Sequence, residues 1–461
     1  MKGKEKYTHS IAEYVMATGF ENLPEEAIAK AKLHLLDAIG IMLCAYGTGH
    51  RLVKGLIELA AESGGSDKAT ILGEGRKVGC LDAAMVNSIM ANFLDSSDGH
   101  FIGGHINDRL VPVALAAAER VGASGEELLT AIVLGYEVYI HLANTLFGKV
   151  EPASTRHPYF VILGTLAGVV PAGKLLGLNE KQIAGAMGLA ASIQLGGTQY
   201  VLSGGHEKDL CPGHESRRAL LSTLVAEKRI LGSMDILEGE RGIFTAIGAE
   251  PQVILELGRE YRITECYIKP YPACRYLHAS IEATLNLVRE HGISASEVEK
   301  AIVTTNSSSA GRVSYEIKSH VNAIFSHAYQ VAAVLRYGRV DLPIAWEEKI
   351  SDPLFKTLLP RIEVRADPEY DRLYQQRSLD QPPWPAEVEV LMQDGRRYRS
   401  KVLSPKGDPG NPMTPEEVKQ KFVKFTESTL SKARATEVIE LLDHLETAST
   451  VDKLIELLVV K

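Results

Sequence analysis

The periodicity of the apolar residues changes twice along the chain, near residues 263 and 403. These two switches constrain the fold more than any other feature. Up to about 262 the pattern is helical. Pro24-Glu25-Glu26 opens a helix, since proline fits a first turn and acids complement the helix dipole. Ile28, Leu35, Ile39 and Leu43 then recur at helical spacing until Gly47 and Gly49 end the run. Ser124 with Glu127 forms a capping box ahead of LLTAIVLGYEVYIHLA, and Asn179 with Gln182 forms another. Ala, Gly and Ser crowd these helices, so the backbones can approach closely and a helix-on-helix core is expected. From 263 the texture is mixed. KAIVTTNSS and RIEVRAD read as strands, with helices predicted over 275–290 and 323–337. In AEVEVLMQDGRRYRSKVL, Val388, Val390 and Met392 alternate with Glu387 and Glu389; Asp394-Gly395 supplies a tight turn; Tyr398, Ser400 and Val402 alternate with Arg397, Arg399 and Lys401. Thr414-Pro415-Glu416-Glu417 reopens a helix, and the tail is helical. The expected fold is mostly α: a large all-helical domain formed by both chain ends, 1–262 and 404–461, with an inserted smaller α+β lid domain, 263–403.

A chain of 461 residues exceeds the roughly 250–300 at which a single core stops growing, so more than one domain is expected. Hydrophobic residues at 45% exclude a disordered chain. A net charge of −8 argues against nucleic acid as a partner, which would require a dense basic face. Cys44, Cys80, Cys211, Cys266 and Cys274 are sparse, odd in number and without a C-x-x-C pair, which fits a reducing compartment rather than a disulfide framework or structural zinc. The N-terminus lacks an uninterrupted apolar h-region, and the most apolar stretches, such as 33–46 and 128–136, read as too short or too interrupted to span a bilayer. A soluble cytoplasmic protein with no membrane partner is expected.

Four clusters carry chemistry. The first, Asp95-Ser-Ser-Asp98-Gly99-His100-Phe-Ile-Gly-Gly-His105-Ile-Asn-Asp108, lies between two apolar helices, where unpaired polar groups are costly. It suits a capped polar loop, an acid/base centre or a divalent-metal site, although no H-E-x-x-H spacing is present. The second is Arg156-His157-Pro158, a helix start at which a His is commonly a cap. In the third, GGHEKDLCPGHESRR, the cations Lys208, His214, Arg217 and Arg218 fall near the start of a helix predicted over 215–228; this reads as an anion site or a solvated basic turn. The fourth, Lys269-Pro-Tyr-Pro-Ala-Cys274-Arg275-Tyr276-Leu-His278, sits at the domain junction, a common place for ligands, with Cys274 read as a packed thiol. P-loop, dinucleotide and G-x-S-x-G motifs are absent. The residue set suits proton abstraction next to a carboxylate, with cations holding the acid and the developing charge.

Taken together the clusters resemble the MmgE/PrpD family, which includes 2-methylcitrate dehydratase, cis-aconitate decarboxylase and iminodisuccinate epimerase. The resemblance rests on NFLDSSDGH…GGHINDRLVPVALAAAE, GASGEELLTAIVLGYEV, RHPYFVILGTLAGVVPAGKLLGL, the spacing of Lys208, Gly213 and Arg217, KPYPACRYLH, Phe325-Ser326 through Tyr329, and GNPMTPEEVKQKF, in that order over nearly the whole chain. It implies a homodimer with no cofactor and no metal, and a cleft between the helical domain and the lid. It carries over Asp95, His105, Lys208 and Tyr329 as catalytic residues, and places His157 and Lys269 along the cleft. His100, Cys274 and Arg275 complete the expected substrate-binding set. A hydroxyl residue is frequent in the family where this chain has Gly99, and a catalytic His of cis-aconitate decarboxylase stands at the position of Cys274.

The expected function is a cofactor-independent lyase acting on a small di- or tricarboxylate, foremost a dehydratase of the 2-methylcitrate type. The alternatives are an epimerase or isomerase of an amino- or imino-dicarboxylate, a metal-dependent hydrolase using the 95–108 loop, and a binding protein that keeps the scaffold without catalysis.

Overall fold

In a computed structural model of the chain the described residues are 6–64, 68–147, 157–192, 200–248, 256–376 and 384–460. The fold is mostly helical with a small sheet. One hydrophobic core joins residues from Tyr7 to Ile268 with residues from Val418 to Leu458, so the helical tail packs into the same core as the first half. A second core, from Ala279 to Val402, belongs to an α+β unit.

In the larger core, the helices Glu25–Gly47, Cys80–Phe93, Asn107–Val121, Gly125–Phe147 and His157–Leu175 pack on one another. The helix Gly125–Phe147 is long and apolar enough, by length and composition, to cross a bilayer, contrary to the sequence reading of that stretch. Here it is a core helix, buried almost throughout, and its buried Glu137 accepts the backbone N–H groups of Gly258 and Arg262 at 3.1 and 2.8 Å.

The α+β unit is built on a four-stranded sheet ordered Ile362–Ala366, Val298–Thr305, Ala386–Met392, Arg397–Val402. The first pair is parallel and the others antiparallel. The hairpin follows the predicted alternation: Val388, Val390 and Met392 are buried, while Arg397, Arg399 and Lys401 face solvent. One face is covered by the helices His278–His291 and His327–Tyr337.

The helix predicted over 215–228 runs instead from Glu207 to Glu227 and passes through Pro212-Gly213. This moves Lys208 into its first turn and leaves His214 and Arg217 exposed further along, so the anion site expected at a helix start around 215 is not formed. The reason is tertiary. A Cβ on Gly213 would lie 2.6 Å from Ile89 Cγ1 and 2.8 Å from the Met85 carbonyl, so only glycine permits this helix to lie on Cys80–Phe93. That close approach outweighs the local breaking tendency of the dipeptide.

Buried charges tie the 95–108 loop to this framework. Lys421, from the tail helix Pro415–Thr426, pairs with Asp37 at 2.6 Å and donates to the Ser96 carbonyl at 3.0 Å. Asn107 bridges Asp37 and Asp98, donating Nδ2–H to one (3.2 Å) and its backbone N–H to the other (2.8 Å), and Asp98 also holds His34 and the Tyr136 hydroxyl. Burial raises the Asp37 carboxyl and Lys421 opposes it. Removing one partner of such a pair strands a buried charge. Lys421→Met is therefore expected to cost about 3–5 kcal/mol in urea unfolding, with part of the loss recovered in the Asp37→Asn/Lys421→Met double variant.

Candidate active site

Asp95 follows the helix Cys80–Phe93 with φ of +52°. This is the left-handed region, which Asp tolerates better than most non-glycine residues. Its N–H reaches back to the Asn92 carbonyl (2.8 Å), and its carboxylate is fully buried. Two lysines from distant segments meet there. Lys208 Nζ lies 3.0 Å from Oδ1 and donates to the Asn92 carbonyl at 3.0 Å. Lys269 Nζ lies 3.4 Å from Oδ2 and donates to the Asp95 carbonyl at 2.9 Å. Lys269 is held by backbone closure next to it: Ile268 N–H donates to the Gly407 carbonyl at 3.2 Å. Gly407 has φ of +97°, and a Cβ there would lie 2.0 Å from the Ile268 carbonyl. Burial works to raise the Asp95 carboxyl, but the Lys208 and Lys269 ammonium groups overrule it and hold it well below the usual carboxylate range. Burial draws Lys269 below its ordinary value, against the pull of Asp95. Two ammonium groups share one carboxylate, so the trio carries one formal positive charge in excess. A divalent cation at Asp95 would have to displace two resident cations, which argues against the metal reading of this loop.

His105 stands beside the trio. Its Nδ1 is 2.5 Å from Ser97 Oγ, and Ser97 Oγ is 3.4 Å from Asp108 Oδ2. Asp108 is fixed by Asn92 Nδ2 (2.5 Å) and Arg109 Nη1 (2.6 Å), and Arg109 Nε in turn donates to Glu215 (2.7 Å). Burial first, then Lys269, pull the His105 imidazole below its usual range, so it is neutral near pH 7. Burial works against ionisation of Asp108, but the Arg109 guanidinium prevails and keeps it ionised. An ionised carboxylate only accepts hydrogen bonds. The Ser97 proton therefore points to Asp108, and the His105 Nδ1–H points to Ser97. Nε2 is left with its lone pair, 3.6 Å from Asp95 Oδ1 and so beyond a hydrogen bond. With about a quarter (26%) of its side chain exposed, His105 presents a free base on the open side of the cluster.

The four residues Asp95, His105, Lys208 and Lys269 are thus brought together, although they come from three separate stretches of sequence. Cys274 is buried, its thiol is pushed up by burial, and it feels both Asp95 and Lys269. Three other expected residues are directed elsewhere. His100 is buried with Nε2 3.4 Å from Glu265 and its backbone paired with Gly104. Arg275 is spent on Asp408, the carbonyls of Pro405 and Lys406, and His278. Tyr329 belongs to the core of the α+β unit, edge-on to Phe355, and the charge acting on its hydroxyl is that of Asp341. The side chain of His157 lies outside the described residues; its backbone begins the helix His157–Leu175.

Ser97, Asn92, Arg109 and Glu215 were not singled out from sequence. A Ser eight residues before a His has no spacing signal, and the others act only through tertiary contacts. Tyr200 was missed as well. Burial raises its phenol, which feels Cys211, Arg109, Asp95 and Cys274. Surface grooves of about 510 and 370 Å³ lie on the α+β unit and share no lining residue with the cluster, so its chemistry, and not its depth, marks this site.

A buried ammonium–carboxylate–ammonium trio with a neutral imidazole beside it thus stands where the helical core meets the segment that leads into the α+β unit. The MmgE/PrpD N-terminal domain model matches residues 9–255 and the MmgE/PrpD C-terminal domain model matches residues 271–447. The chain belongs to the MmgE/PrpD family. It is similar to proteins named cis-aconitate decarboxylase from Aspergillus terreus (24% identical, covering 99% of this chain and 96% of that one), Mus musculus (22%; 97% and 93%) and Homo sapiens (23%; 95% and 92%).

The charge geometry fixes the behaviour in acid. Because the folded Asp95 titrates below its unfolded value of about 3.9, its contribution is complete above that pH and is lost as pH falls through the folded value. Lys208→Met takes away one of the two groups that depress it. The acid-unfolding midpoint of that variant, followed by circular dichroism, is expected to move to higher pH than in the parent.

Proposed function

We propose that this protein is a cofactor-independent lyase that removes water from a small hydroxylated di- or tricarboxylate, by taking a proton from the carbon next to a carboxylate. The observation that carries the reading is the excess positive charge of Lys208 and Lys269 around Asp95, beside a neutral His105 whose Nε2 is free. The excess charge is complementary to a substrate carboxylate. As the C–H bond breaks, its electron pair moves onto that carboxylate, and the ammonium groups lie where the new charge develops. His105 Nε2 accepts the proton. Loss of the neighbouring C–O bond restores the carboxylate and forms the double bond, and the imidazolium returns its proton to the departing hydroxide as water.

Asp95 has a supporting part in this reading. Held well below the usual carboxylate range, it is too weak a base for a carbon acid, and it serves to fix the two lysines. Movement of the α+β unit toward the helical core would exclude water and strengthen these charges.

The relatives named cis-aconitate decarboxylase make decarboxylation of a tricarboxylate the reading to distinguish. Loss of carbon dioxide leaves a carbanion that needs a proton. At 274 this chain offers a thiol raised by burial. A neutral thiol is a poorer proton donor than an imidazolium, which favours dehydration here.

NMR of a polycarboxylate panel in deuterated water separates the readings. Loss of water supports a dehydratase, release of carbon dioxide a decarboxylase, and solvent exchange without loss of either an epimerase. Lys208→Ala is expected to abolish turnover while its circular dichroism stays native at neutral pH; parent-like turnover would remove Lys208 from the mechanism. Ser97→Ala frees His105 to change tautomer. Its kcat is expected to fall by about 10²-fold or more, the lower range for a positioned general base, with KM changing little.

A further inference from the structure

A second group of metal-ligating side chains lies one residue along the chain from Lys208 and takes no part in the proposed chemistry. His206 caps the helix Glu207–Glu227, Asp209 is in its first turn, and His320 opens the helix His320–Ile324 of the α+β unit. His206 Nδ1 and His320 Nε2 each lie 3.0 Å from the same oxygen, Asp209 Oδ2, and all three ligand atoms fall within 4.8 Å of one another. Among the described residues this is the group of His, Cys, Asp and Glu side chains with metal-ligating geometry.

We propose that His206, Asp209 and His320 form a binding site for a late first-row divalent metal ion such as zinc, outside the reaction centre. Two imidazoles and a carboxylate are a donor set that suits such ions. Tetrahedral bonds of about 2.0–2.1 Å give ligand–ligand edges of roughly 3.3 Å, so the 3.0 Å separations need only a small expansion. On binding, His206 Nδ1 and His320 Nε2, which face Asp209 Oδ2, would give up their protons and present lone pairs to the ion. Asp209 and His320 are buried while His206 keeps 38% of its side chain exposed, which leaves an entry path and a water-facing coordination position.

Neighbouring elements hold the donors in place. Gly204 takes a φ of +75°, and a Cβ there would lie 2.5 Å from Ser319 Oγ, so the turn before His206 is pressed against the residue before His320. Phe93 packs on both the His320 and the His50 rings, with centroids 5.0 and 4.9 Å away. His50 is nearby but is a poor fourth ligand. Its Nδ1 accepts the Leu52 N–H (3.2 Å), so its neutral form carries the proton on Nε2. That leaves three protein ligands and an open position, and an ion there would join the turn that carries Lys208 to the α+β unit.

The test uses untagged, chelator-treated full-length protein dialysed against zinc chloride, with elemental analysis for stoichiometry, and cobalt(II) as a spectroscopic probe. The expected result is one zinc per chain, visible cobalt bands of histidine and carboxylate ligation, and a Tm that rises with zinc concentration by mass action. His206→Gln changes the part-exposed ligand and is least able to disturb folding. It is expected to weaken zinc by more than the roughly 10–100-fold that loss of an outer-shell partner costs, and His320→Ala by at least as much. Substoichiometric zinc in the parent, or one-to-one binding of unchanged affinity in His206→Gln, would overturn the proposal. The readout is binding, so a failure of the lyase reading leaves the metal result interpretable.

Discussion

The arrangement depends on one buried carboxylate that two lysines share. Taking Asp95 out of water is costly, and its left-handed backbone adds strain; neither persists unless the surroundings compensate. Lys208 and Lys269 do so with their charges and with hydrogen bonds to the carbonyls of Asn92 and Asp95. Each lysine is anchored by a different element. The trio therefore fixes the end of one helix, the first turn of a second and the segment between the two cores relative to one another.

Around it lies a second tier of buried charge. Asp108, Arg109 and Glu215 fix the proton of Ser97 and so the tautomer of His105, and burial pushes Glu215 up to about 7 against the pull of Arg109. Gly164 is part of this tier by what it lacks: a Cβ there would lie 2.0 Å from Glu215 Oε2 and 2.6 Å from Arg109 Cδ. On the other side, Asp37, Asp98, Asn107 and Lys421 tie the same loop to the tail helix Pro415–Thr426. The tail thus stabilises the site from behind, through Ser96, without contributing a reacting group.

Some of this was legible in the residues. The hairpin alternation from Glu387 to Val402, the capping boxes at Asn179 and Thr414, and the helical tail all follow from local rules of periodicity and hydrogen bonding, and each appears in the fold. Asp95, His105, Lys208 and Lys269 were identified by their motifs. Other expectations failed for tertiary reasons. The helix expected from 215 begins eight residues earlier, at Glu207, because a glycine at a close helix crossing lets it run through Pro212-Gly213. Arg275 looked like a substrate ligand because an arginine at a domain junction is free until a partner appears; here Asp408, 133 residues later, takes it. Tyr329 lies on a helix face turned into the core of the α+β unit, and His100 turns to Glu265.

The sequence by itself determined the kinds of element, the chemistry available and the family to which the chain is kin, because these depend on neighbours a few residues apart and on motif order. Tertiary structure alone decided which charges meet: that Lys208 and Lys269 share Asp95, that Ser97 sets the His105 tautomer, and that His206 and Asp209 face His320. Electrostatic coupling depends on separation in space and on exclusion of water, and both are fixed only when distant segments pack.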